Sequence, residues 1–161
     1  MKRLLQTIFP ALLLFIFSGC DVMNPASGPS GPARSLFEGT WTLNTVTYSG
    51  LADDAVQMAF DQAPPKDFIG STWQLGNDGN GSYTLTNGTS QNIAWSVNGG
   101  DALGALFHFK KVNPGEKPEN VSTVYQMTIS NNTATSMTLK SLVYLGNKNG
   151  YVVYTFSKQK G

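Results

Sequence analysis

The stretch "GTWTL" at residues 39–43 opens the first convincing β-strand of the chain. A Pro-, Gly- and Ser-rich run precedes it, and apolar and polar residues alternate through it. A period of two buries one face of a strand and leaves the other wet. Trp41 and Leu43 therefore share one face, and Thr42 and Asn44 the other. The same pattern returns at 70–75, 82–86, 91–97, 106–111, 122–130, 136–144 and 151–158, so eight strands are expected, the first over 40–48. Asn-Gly and Gly-rich stretches between them supply the positive φ angles of tight hairpins. Short sequential strands with one apolar face predict an all-β fold, an eight-stranded antiparallel up-and-down barrel. Closing the sheet into a barrel also removes its exposed edges.

In a meander, successive strands run up and down, so the inward residues divide by height. Trp41, Leu75, Tyr83, Val97, Phe107, Ile129, Met137 and Phe156 are expected near the closed end. Trp73, Ile93, Trp95, Phe109, Tyr125, Met127, Leu139 and Tyr154 are expected near the middle or the open mouth. The second group is the candidate ligand lining. A barrel of this size is either just filled by its own side chains or holds one small ligand, and the sequence leaves both readings open.

Residues 49–69, "SGLADDAVQMAFDQAPPKDFI", interrupt the meander. Leu51, Ala55, Met58 and Ala59 recur at helical spacing, and Pro64-Pro65 would stop a helix. The segment is expected to be a short amphipathic helix with flanking coil, lying over the mouth as a lid.

The chain begins with "MKR", an apolar run interrupted by Gln6, Thr7 and Pro10, and then "SGC". This is the charged, apolar and small-residue order of a secretory signal, expected over residues 1–19. Cys20 is the only cysteine, so no disulfide forms within the chain. "FSGC" resembles the bacterial lipobox, which implies lipidation at Cys20 and attachment to a membrane of the cell envelope. Residues 20–36 are the anchor cysteine and a flexible Pro/Gly/Ser tether, and 37–161 the barrel domain. Loss of residues 1–19 removes Lys2 and Arg3, leaving nine basic against ten acidic side chains. That balance gives no basic face for nucleic acid, and a monomer is expected.

Taken together, "EGTWTL" at the first strand, "FIGSTWQLGNDGNGSYTL", "QNIAWSV" and "FHFKK" in order, and "YTFSK" at the end resemble the lipocalin-like domain of bacterial lipoproteins of the Bacteroidetes type. The resemblance spans about residues 36–158. It implies that Gly39 and Trp41 form the barrel floor, that Lys158 packs across Trp41, and that the barrel can take a small hydrophobic molecule.

Chemistry is sparse. His108, the only histidine, alternates outward between Phe107 and Phe109. Catalysis calls for a sheltered base, so no enzyme is expected. No cofactor is expected, and no metal site, since zinc would lack ligands and "GNDGNG" at 76–81 lacks the acidic spacing of a Ca²⁺ loop. Asp53, Asp54, Asp61 and Asp67 read as solvated carboxylates of the lid.

Two functions follow. One is an envelope protein that binds a small, largely apolar ligand in the barrel. The other is a filled-barrel adaptor that contacts another protein or a glycan through residues 49–69 and "VNPGEKPEN" at 112–120. The anchor has a direct test. Cys20→Ala is expected to lose membrane fractionation and labelling by a clickable fatty acid, and persistence of either result would exclude the lipid anchor.

Overall fold

A computed structural model of the chain describes residues 32–53, 55–101 and 104–160. Cys20, the leader expected over 1–19 and most of the expected tether lie outside them. The strands are β1 (Gly39–Ser49), β2 (Thr72–Leu75), β3 (Asn80–Thr84), β4 (Ser90–Asp101), β5 (Gly104–Val112), β6 (Tyr125–Asn132), β7 (Ser136–Leu145) and β8 (Lys148–Lys158). Each pairs antiparallel with the next, and β1 pairs with β8, so the sheet is a closed up-and-down barrel. Short 3-10 turns at Arg34–Leu36, Pro65–Phe68 and Pro118–Asn120 are the only helical elements among the described residues. No helix among them is long and apolar enough to cross a membrane.

The inward face anticipated from alternation is the core. Trp41, Leu43, Tyr83, Phe107, Phe109 and Phe156 are among its fully buried members. The faces change once along β1, because a bulge between Leu43 and Thr45 inserts Asn44. One extra residue reverses the alternation beyond it, so Val46 is buried and Tyr48 packs against the core.

The loops alternate between the two ends of the barrel. The closed end carries the N-terminal segment, the 76–79 turn and the 133–135 turn. The other end carries residues 50–71, 85–89, 113–124 and 146–147. Among the described residues of 49–69 no amphipathic α-helix forms, and the short helical piece of the loop is the 3-10 turn Pro65–Phe68. Met58 is exposed, Ala59 is buried, and Ala59 pairs with Ala63 as an isolated β-bridge. The helical spacing was coincidental: Leu51 packs at Gly150 on β8 instead of on a helical neighbour. Pro65 begins a 3-10 turn, where its missing N–H costs nothing.

Gly39 and Trp41 lie at the start of β1, at the end of the barrel where the chain enters. Lys158 Nζ lies 5.3 Å from the centroid of the Trp41 ring, within cation–π range. The Trp41 indole N–H donates to the Phe37 carbonyl at 2.7 Å. Gly39 has φ +117°, and a Cβ there would stand 2.7 Å from Lys158 Cε. The glycine is thus required twice, by its backbone angle and by the lysine that crosses it.

Gly39→Ala is expected to cost about 1–3 kcal/mol in urea unfolding. Part of that cost arises from pushing Lys158 off Trp41. Lys158→Ala should therefore cost less in the Gly39→Ala background than alone. Full additivity of the two changes would refute the coupling.

Candidate functional site

Four of the anticipated mouth-lining residues pack on a side chain from a loop. Phe60, from the β1–β2 loop, enters the barrel and is buried. Its ring centroid lies 5.1 Å from Phe109, 5.4 Å from Tyr154, 5.8 Å from Tyr125 and 6.2 Å from Trp73. Phe68 of the same loop meets it edge-on at 5.3 Å. Tilted and edge-to-face pairs at these distances add stabilisation beyond the buried area. Truncating a buried phenylalanine to alanine costs about 3–5 kcal/mol in typical cores.

The loop delivers Phe60 through a tight turn. Ala59 N–H donates to Ala63 O at 2.8 Å, and Gln62 N–H donates to Ala59 O at 3.1 Å. Phe60 and Asp61, at the two central positions, have φ of 54° and 48°. Turns with both central residues left-handed favour Asn-Gly. A left-handed residue with a Cβ costs roughly 1–2 kcal/mol, so the surroundings hold this turn in place.

Three side chains do so. Lys111 Nζ donates to Phe60 O at 3.1 Å, Asp61 O at 3.2 Å and Gln62 Oε1 at 3.1 Å. Tyr125 donates its hydroxyl to Asp61 Oδ2 at 2.9 Å, and Tyr83 donates to Gln62 Oε1 at 3.3 Å. Lys111 faces inward because it pairs with Ile93, which is buried. An ammonium bonded to three oxygens satisfies all three of its donors.

Trp73, Phe109, Tyr125 and Tyr154 of the anticipated lining pack on the Phe60 ring. Ile93, Met127 and Leu139 are buried in the same core. Trp95 is a correction. It stacks on Phe107 and is capped by Phe37 and by the Arg34 guanidinium, 4.7 Å from its ring, so it belongs to the closed end. Tyr83 is the reverse correction, since its hydroxyl reaches the lid. Both follow from stagger in a tilted barrel. β3 begins at Asn80, which pairs with Ala94, so Trp95 lies below the start of β3 and Tyr83 near its upper end.

Lys111 stands two residues beyond Phe109, so the period of two along β5 is the signal that puts it on the inward face. Phe60 carried no periodic signal. Beside it a cleft of about 310 Å³ runs along the mouth, bordered by Val56, Met58, Tyr125, Val143 and Tyr154. His108 lies on the outer wall, in a groove with Ser96, Lys110 and Glu119. Asp78, in the "GNDGNG" turn, accepts from the backbone and side-chain nitrogens of Asn80 at 2.9 and 2.8 Å, which folds the turn and holds its carboxyl below the usual range. Among the described residues, no group of three or more His, Cys, Asp or Glu side chains could hold a metal ion.

Comparison with known proteins adds no relative: no family model, no curated protein and no solved structure matches the chain.

The tyrosines give the mouth a pH signature. The Tyr125 phenol is pushed up to about 12, first by burial, then by its hydrogen bond to Asp61 and that carboxylate's charge. Burial also raises Tyr83 and Tyr154 well above the usual phenol value of 10.0. A phenol with a raised folded value stabilises the fold fully below its unfolded value, and that contribution is lost as pH rises through the folded one. Unfolding free energy is expected to fall from pH 10.0 towards about 12, in step with phenolate absorbance. Tyr125→Phe should shrink that fall, and an unchanged profile would refute the assignment.

Proposed function

We propose that the protein is a non-enzymatic, lipid-anchored module of the cell envelope, akin to the lipocalin-like domains its sequence resembles. In this reading a filled barrel meets a partner protein through its loop end. The observation that carries it is the occupied mouth: with its turn in place, Phe60 fills the position of an open ligand cavity and leaves the loop end as the surface offered to a partner.

The surface supports the same reading. The exposed large hydrophobics among the described residues are Met58 (60%), Ile69 (40%), Val124 (47%), Tyr144 (74%) and Leu145 (45%). Every one sits on a loop or strand end of the lid side. A single exposed apolar residue is ordinary, but their collection at one end marks a contact surface. Charges there are mixed, with Asp53, Lys66, Glu116, Lys117 and Glu119 all exposed or half-buried.

The tether bears on orientation. The chain enters the barrel at the closed end through the 3-10 turn at Arg34–Leu36, so an anchor at Cys20 would hold that end nearest the membrane. The eleven residues of β1 span about 35 Å. The apolar end then points away from the anchoring membrane, so the fitting occupant is a protein with an apolar patch.

Photo-crosslinkers at Met58, Val124 and Tyr144 in intact cells are expected to trap one protein species, and crosslinkers at Asn77 and Ala134, in the turns of the closed end, should not. Val124→Glu with Tyr144→Glu should abolish the species while the barrel stays folded. Equal capture from both ends, or capture that survives both substitutions, would overturn the reading.

A further inference from the structure

The Phe60–Gln62 turn has the composition of a ligand. It offers an aromatic ring to an aromatic cage and presents three oxygens to one ammonium. It does so from a backbone in which both central residues are left-handed without being glycine. Strain of this kind persists only where the surroundings over-determine it, and it concentrates at clamps and switches.

We propose that this turn is an internal surrogate for an external arylalkanoate, an aromatic ring two carbons from a carboxylate, which binds the barrel mouth by displacing it. The inference goes beyond partner binding at the loop end and does not depend on it.

The spacing fixes the ligand class. Between the Phe60 ring and its carbonyl carbon lie Cβ and Cα, and the carbonyl oxygen accepts from Lys111 at 3.1 Å. An arylpropanoate has the same ring, the same two-carbon spacer and an oxygen at the same position. Its carboxylate also carries a full negative charge, which the turn's carbonyls lack. A charged acceptor makes a stronger hydrogen bond to an ammonium than a neutral one.

Displacement leaves Lys111 without its three oxygens and leaves the Tyr83 and Tyr125 hydroxyls without their lid acceptors. All three are donors, so the vacated site selects an anion. Trp73, Phe109 and Tyr154 supply the walls for the ring. The cleft bordered by Val56, Met58 and Val143 gives the departing turn a way out beside the mouth.

The turn and the ligand compete, so apparent affinity is reduced by the fraction of molecules with the turn displaced. Removing the ring of the surrogate lifts that competition. Phe60→Ala is therefore expected to bind 3-phenylpropionate at least about tenfold more tightly than the wild type in calorimetric titration. In that background the neutral analogue 3-phenyl-1-propanol should bind at least about tenfold more weakly than the carboxylate, and Lys111→Met should erase the preference. In the unsubstituted protein, saturating 3-phenylpropionate should accelerate hydrogen exchange at the Gln62 amide, whose bond to Ala59 O closes the turn.

A folded Phe60→Ala protein that gains no affinity overturns the proposal. So does equal binding of acid and alcohol, or ligand binding without faster exchange at Gln62. If Phe60→Ala does not fold, Phe60→Leu keeps an apolar plug of smaller reach. It should show a gain in the same direction, and no gain there is equally decisive.

Discussion

The interior of an eight-stranded barrel is a fixed volume, and the strands of this one leave its upper axis unfilled until the loop returns. The ring of Phe60 completes the core from outside the sheet, touching residues of β2, β5, β6 and β8 at once. Packing around it therefore ties four walls of the barrel to a segment that belongs to none of them. The strained turn behind the ring is held because Lys111 donates to three of its oxygens, Tyr83 to the Gln62 side chain and Tyr125 to the Asp61 carboxylate. Apolar filling and polar latching act on the same three residues, so neither is independent of the other.

The two ends of the barrel are sealed by different means. At the closed end, Phe37 covers Trp95 and Phe107, and two cations, Arg34 and Lys158, lie over the indoles of Trp95 and Trp41. These contacts come from the segment before the first strand and from the end of the last. At the mouth the seal is the long loop between β1 and β2, which carries exposed apolar side chains. One end is built from the strands' own continuation, and the other from an insertion.

Strand number, order and the buried face were legible because a period of two is enforced along each strand. What failed was height. Trp95 and Tyr83 exchanged ends because stagger between neighbours accumulates around a tilted barrel, and no single strand records it. The bulge at Asn44 was equally invisible, since an inserted residue changes the phase only beyond itself. Lys111 could have been found from the alternation that found Phe107 and Phe109. Phe60 could not, because a residue in a turn is placed by what surrounds it and carries no repeat. The helical spacing of Leu51, Ala55, Met58 and Ala59 shows the converse, a pattern with no partner face to give it meaning.

Closure through β1 and β8 sets an order on folding. Trp41 pairs across to Lys158, and Val46 to Tyr154, contacts separated by more than a hundred residues. The other strands can form hairpin by hairpin as they emerge, but β1 keeps one bare edge until the final strand arrives. Contacts of such separation are slow to form, and an unpaired edge is a template for joining another chain. During synthesis from the N-terminus, the first strand keeps that edge for as long as the other seven are being made. The strand that ends the exposure is β8, the eighth in chain order.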